Sequence, residues 1–172
     1  MSALTRITHY EGMTPPPPGD PPLLCPFCRI VHGERAQGDS EPLIIGNFPR
    51  ALAFIPLAPA AWGHTLVIPK PHITDLWGFA PDLAGEVFTA IWSVGTQIRR
   101  ALRPDGMNLI QSTGAAAGQT VDHLHFHLVP RWDGDHLGDL WEKGREWWKE
   151  MTADTGGDPR TAMADAFRYP PS

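Results

Sequence analysis

The chain has 172 residues, 42% of them hydrophobic and 19% charged, with a formal net charge of −5 at pH 7. This balance predicts one soluble globular domain with a real core, and the acidic charge gives no global pull toward nucleic acid, so a phosphate ligand would have to meet a local field. No apolar run is long enough to span a bilayer, and Met1 to Gly12 is polar without a signal-peptide core, so the expected setting is the cytoplasm, with no membrane or nucleic-acid partner.

In chain order, residues 1–22 are predicted to be flexible, because Pro15 to Pro18 and Pro21-Pro22 favour extended, semi-rigid backbone. The folded domain with its C-terminal extension is expected over 23–151, and 152–172 reads as a tail. Leu43-Ile44-Ile45 and Ala51 to Ile55 read as two short strands with Gly46-Asn47 at or near the turn. Thr65 to Ile68 reads as a third, stopped by Pro69 and Pro71. Pro81 to Leu102 is the clearest helix. Pro81 suits a first helical position, Leu83, Val87, Ile91, Val94, Ile98 and Leu102 form one apolar stripe, and Arg99, Arg100 and Arg103 favour its C-terminal end. A strand at about 107–113, a small-residue loop and a strand at about 121–130 follow. Leu137 to Met151 carries Trp141, Trp147 and Trp148 after Trp132, and reads as an amphipathic helix docking on the body or on a second subunit rather than as a base-stacking platform.

The chemistry is concentrated in His123-Leu124-His125-Phe126-His127, followed by Leu128-Val129-Pro130. Strand side chains alternate between faces, so the three histidines would share one face at roughly 6–7 Å spacing, with Leu124, Phe126 and Leu128 turned to a core. Imidazoles on a rigid strand can act as nucleophile, proton donor or metal ligand. Upstream, Gly114 to Gly118 is a small-residue loop that lets backbone N–H groups approach a ligand.

The block from Gly118 to Arg131, together with Gly63-His64-Thr65-Leu66-Val67-Ile68-Pro69-Lys70-Pro71-His72, resembles the histidine triad (HIT) superfamily of nucleotidyl hydrolases and transferases. The resemblance spans roughly Cys25 to Asp135, and the Pro-Arg-Trp-x-Gly-Asp run (Pro130 to Asp135) is most similar to the branch that handles dinucleoside polyphosphates. It implies an α+β fold with an antiparallel sheet of about five strands, one main helix and the Trp-rich helical segment, paired into a homodimer. It also implies cleavage at the α-phosphate through a nucleotidyl-histidine intermediate, with diadenosine polyphosphates as the substrate expectation. The alternatives are a phosphorylase using inorganic phosphate, and a non-catalytic nucleotide-binding sensor. By the same resemblance His125 is the nucleophile, His127 donates to phosphate oxygens, His64 orients the triad beside His123, and Gln119, Thr120, Ser112 and Gly118 surround the substrate.

Two cysteines in a cytoplasmic chain need a reason other than a disulfide. Cys25-Pro26-Phe27-Cys28 supplies two soft ligands where structural zinc takes four. Zinc-bearing relatives imply His72 and His123 as the others, with His64 the rival for the third place, and no organic cofactor. His32 and His136 lack a motif and read as surface residues. Two positions depart from the family pattern. Ser112, beside Gln111, stands where many relatives have Asn or Gln near the phosphates. Pro56 stands where relatives use Asp or Asn to bind ribose hydroxyls, and proline has no side-chain hydrogen-bonding group. Relaxed ribose selectivity is therefore expected, with Asn47 the first candidate for a substitute reader.

Overall fold

Alternation in two central strands decides the architecture. In β2 (Ala51–Ile55) and β3 (Thr65–Pro69) every residue is buried. Ala51, Ala53, Ile55 and Val67 enter one apolar cluster, whereas Leu52, Phe54, Leu66 and Ile68 enter another. Period-two geometry thus splits the core into two layers, one on each face of a sheet. The protein is described here by a computed structural model over residues 25–34, 40–135, 140–154 and 157–168; the proline-rich segment 1–22 and His136 lie outside them. The sheet has five strands in the order β1-β2-β3-β5-β4, all pairs antiparallel, with β1 at Leu43–Asn47, β4 at Gly106–Ile110 and β5 at Phe126–Arg131.

The larger cluster is covered by α2 (Pro81–Leu102), which starts at Pro81 and buries Leu83, Val87, Ile91, Val94 and Ile98 as its periodicity predicts. Arg103 closes it in the left-handed region at φ 49°. The smaller cluster is covered by α1 (Pro26–His32), which brings Phe27, Cys25 and Cys28 onto the opposite face. His32 is exposed. The C-terminal helices are α3 (Leu140–Asp154) and α4 (Pro159–Arg168). Trp147 and Trp148 of α3 pack on the larger cluster, in keeping with docking on the body. No helix among the described residues is long and apolar enough to cross a membrane.

Four boundaries differ from expectation. Gly46 and Asn47 belong to β1, whose register slips between Ile44 and Gly46, and residues 48–50 make the reversal. β4 stops at Ile110 instead of running to 113, because the Thr113 and Gln111 side chains hydrogen-bond within the following loop and to Leu76. β5 begins at Phe126 rather than 121, because the Leu124 N–H is given to Ile73 O, outside the ladder. The segment read as a tail carries α4, whose Met163, Ala164 and Phe167 are buried in the main core. Asp158 caps that helix, accepting from the Arg160 N–H, and Pro159 sits in its first turn.

Candidate active site and metal site

His123 and His125 lie just ahead of β5 and His127 lies within it. The alternation nevertheless holds: Leu124, Phe126 and Leu128 are buried in the α2-side core, and the three histidines turn to the α1 side. Phe27 of α1 meets the His123 and His125 rings edge-on, with centroids 5.8 and 5.5 Å away. The His125 and His127 rings are 5.0 Å apart.

Backbone groups set which nitrogen of each ring carries its proton. His125 Nδ1 lies 2.7 Å from His123 O, which can only accept. Nδ1 is therefore the protonated nitrogen, and a neutral His125 keeps its lone pair on Nε2. His123 Nε2 lies 2.9 Å from Pro69 O, so His123 keeps its lone pair on Nδ1. The Ala60 N–H donates to His64 Nδ1 at 2.9 Å, so a neutral His64 donates from Nε2 to His127 Nδ1, 2.9 Å away. This leaves His127 with a proton on Nε2. The neutrality follows from burial. His64 is held well below the ordinary imidazole value, first by burial and then by His127 and His125. Burial lowers His125 against its hydrogen bond to His123, and takes His127 down to about 3, with His125 adding to the effect. Gly63 makes this possible locally. Its φ is +77°, and a Cβ there would lie 2.2 Å from Leu102 Cδ1, so only glycine both turns the chain and seats His64.

His125 and His127 open on a cavity of about 450 Å³. Its apolar walls include Phe27, Ile30, Phe54, Pro56, Leu57 and Leu66, and Thr120 and Arg160 also line it. An apolar cleft ending in a few convergent polar groups is the usual form of a small-molecule site. Gln119 takes a different part from the expected one. Its Nε2 donates to Thr74 O and Val121 O, and its Oε1 accepts from the Gly114 N–H, so its amide stitches the loop. The Ser112 carbonyl accepts from the Gln111 side chain, and neither Ser112 nor Gly118 lines the cavity. Gly118 turns the chain at φ +87°. Asn47 is exposed at the end of β1 and is not among the cavity residues. In the Pro130–Asp135 run, Arg131 forms a two-point pair with Asp135 and donates to Asn108, while Asp135 also accepts from the Trp132 N–H. The run closes a turn.

Cys25, Cys28, His72 and His123 offer four ligand atoms within 4.8 Å of one another. Cys25 Sγ is 3.5 Å from His123 Nδ1, and Cys28 Sγ is 3.2 Å from His72 Nδ1 and 3.6 Å from His123 Nδ1. Ligand atoms around a tetrahedral zinc, with bonds of about 2.0–2.3 Å, stand roughly 3.3–3.8 Å apart. The His123 atom facing the sulfurs is the unprotonated one. Burial, and then Cys25, pushes the Cys28 thiol up to about 12, a value that a bound cation reverses. The donor set therefore fits a four-coordinate soft-metal site. His64 is excluded from it by its partners Ala60 and His127.

Two residues at the site are not assigned to it by the sequence. Trp141 of α3 stands edge-on to His127 at 4.7 Å and 6.1 Å from His64. Arg160 of α4 is buried in the cavity wall. The Asp158-Pro159 start and the spacing of Met163, Ala164 and Phe167 were signals for the helix carrying Arg160.

Residues 37–134 match the HIT domain family. A protein named Protein hit from Bacillus subtilis is 36% identical over 119 residues, covering 69% of this chain and 79% of that protein. An adenosine 5′-monophosphoramidase from Schizosaccharomyces pombe is 31% identical over 109 residues, 63% of this chain and 75% of that one. Among solved structures, a zinc-bound histidine triad family protein from Mycobacterium smegmatis superposes with a TM-score of 0.55 at 35% identity, over 76% of this chain and 96% of that one.

Proposed function

The chain belongs to the HIT domain family, and from that premise we propose that it is a nucleotide hydrolase or nucleotidyl transferase working through His125. The observation that carries this is the proton arrangement in the cavity: a lone pair on His125 Nε2 beside an N–H on His127 Nε2. A phosphoanhydride or phosphoramidate needs a nucleophile that is unprotonated near neutral pH and a donor to the phosphate oxygens. In the first step His125 Nε2 bonds to the α-phosphorus and the bond to the leaving group breaks, the leaving group departing with the electron pair and taking a proton from solvent. The imidazolium so formed is stabilised by its Nδ1–H on the His123 carbonyl. In the second step water attacks phosphorus and gives up a proton to solvent, the P–N bond breaks with its electron pair returning to His125 Nε2, and a nucleoside monophosphate leaves. Thr120 and the loop backbone position the phosphate.

The natural class in this reading is the diadenosine polyphosphates, with the nucleoside in the apolar cleft. The phosphoramidase relative makes adenosine 5′-phosphoramidate the competing test substrate. The ion for the Cys25, Cys28, His72 and His123 set is zinc, supported by the zinc-bound relative. It would hold α1 against the segment that carries His125. A homodimer completes the reading. Phe88 and Trp92 of α2 and Met107 and Leu109 of edge strand β4 are all exposed, an apolar surface of the kind that partners cover.

The test is covalent trapping. Protein quenched during turnover of α-32P-labelled substrate should carry acid-labile label, and His125→Ala should carry none, with kcat lower by several orders of magnitude and the fold intact. Turnover by His125→Ala within tenfold of wild type rejects the assignment. Addition of inorganic phosphate should leave the product a nucleoside monophosphate; a diphosphate product would make the enzyme a phosphorylase.

A further inference from the structure

Arg160 comes from α4, outside the residues that match the family. It is 4% exposed and lines the cavity together with His125, His127 and Pro56. Its guanidinium is gripped on one side only. Nε donates to both Asp158 oxygens at 2.9 Å and Nη2 donates to Oδ2, whereas Nη1 is buried with no hydrogen-bond partner among the described residues. An unmade hydrogen bond on a buried charged group is costly, and native proteins leave few of them. Such a group in the wall of a ligand cavity is one that an occupant can satisfy.

The position of this donor narrows the occupant. Pro56, in the same lining, offers no side-chain group to the ligand. Asp158 sits two residues from Arg160 and offsets its charge, so the pair presents a donor with little net charge. That suits an uncharged acceptor better than a second phosphate, which Asp158 would repel. We infer that Arg160 is a specificity-determining residue that donates from Nη1 to an acceptor on the nucleoside, either a ribose hydroxyl oxygen or a base heteroatom, in the cleft whose reacting end is His125. This rests on the nucleotide reading of the site and adds to it the group that recognises the part of the ligand remote from the phosphate.

The experiment uses the full chain with adenosine 5′-phosphoramidate, its 2′-deoxy counterpart and its hypoxanthine counterpart, and compares wild type with Arg160→Met and Arg160→Lys. For Arg160→Met, KM for the adenosine substrate should rise on the order of tenfold to a hundredfold, the range for losing a hydrogen bond from a charged group, with kcat within threefold. Arg160→Lys should recover part of the loss. Discrimination identifies the acceptor. Collapse of the ribo/deoxy ratio of kcat/KM alone assigns the sugar, and collapse of the adenine/hypoxanthine ratio alone assigns the base. If both ratios are unchanged in both variants, Arg160 only anchors α4 and the inference is overturned, whatever happens to KM or melting temperature. Should Arg160→Met fail to fold, the Arg160→Lys ratios decide in the same way. If wild type turns over none of the substrates, the catalytic reading fails, and calorimetric binding of AMP, 2′-deoxy-AMP, IMP and inorganic phosphate decides about Arg160. A tenfold loss of AMP affinity in the variants with phosphate binding unchanged supports the inference. Equal AMP affinity, loss confined to phosphate, or no binding by wild type overturns it.

Discussion

At the scale of single residues, the site works by fixing protons with backbone atoms. The His123 carbonyl, the Pro69 carbonyl and the Ala60 N–H each dictate one ring, and no carboxylate is needed to orient the histidine pair. Keeping these rings neutral and buried has a consequence in acid. His64 and His127 have folded values below the 6.5 of a free imidazole, His127 at about 3. Below pH 6.5 the unfolded chain takes up protons that the folded chain does not. Their contribution to stability is therefore complete above about pH 6.5 and is lost as pH falls toward 3. Urea midpoints should fall steadily from pH 7 to pH 4, and His127→Gln should flatten that slope. A midpoint that rises with acid, or a slope untouched by the substitution, would contradict this account. The alternation of His123, His125 and His127 with apolar residues was readable directly, because strand geometry is local. The parts played by Gln119 and Trp141 were not. The Gln119 amide is satisfied by Thr74, 45 residues away, and Trp141 meets His127 only through the docking of a separate helix.

At the scale of elements, α3 is held close to the site by the absence of a side chain. A Cβ on Gly144 would lie 2.6 Å from Ala60 Cβ, 2.7 Å from its Cα and 2.8 Å from its carbonyl oxygen. Ala60 is also the residue whose N–H sets His64, so helix, loop and histidine pair form one stack. Gly144→Ala should destabilise the protein by about 1–3 kcal/mol, the usual cost of overpacking, despite gaining about 1 kcal/mol in helix propensity. Equilibrium urea unfolding followed by tryptophan emission measures this, and a stabilised variant would show that the helix does not approach so closely. The main helix and two strands were legible because their apolar stripes run without interruption from Pro81 to Leu102 and through Ala51–Ile55 and Thr65–Ile68. α4 was not. It is ten residues long, and its buried Met163, Ala164 and Phe167 acquire meaning only against α2 and β1. The early end of β4 and late start of β5 were hidden for a similar reason, since side chains and Ile73 O take hydrogen bonds that a ladder would otherwise use.

At the scale of the whole molecule, the buried metal-ligand cluster and one exposed surface make separate predictions. Metal analysis of protein purified without added zinc should find about one zinc per chain. Chelation should lower the melting temperature by on the order of 10 °C, since an ion bound only by the native state adds its binding energy to stability. Cys28→Ser should lose the metal, and a metal-free protein with an unaltered melting curve would defeat the assignment. The exposed Phe88, Trp92, Met107 and Leu109 surface should pair two chains, giving sedimentation at twice the chain mass, and Trp92→Glu with Leu109→Lys should yield folded monomers. A wild-type monomer at micromolar concentration would count against the dimer. The segment His123 to His127 also bears on how this protein can vary. The proposed metal ligand, nucleophile and proton donor hang at every second residue of one run, and the core hangs on the residues between them. Inserting or deleting a single residue there would exchange the two sets at once, placing imidazoles in oil and leucines in the cleft. Length variation in this gene should be tolerated at chain ends and loop tips, while these five codons admit substitution but no change of count.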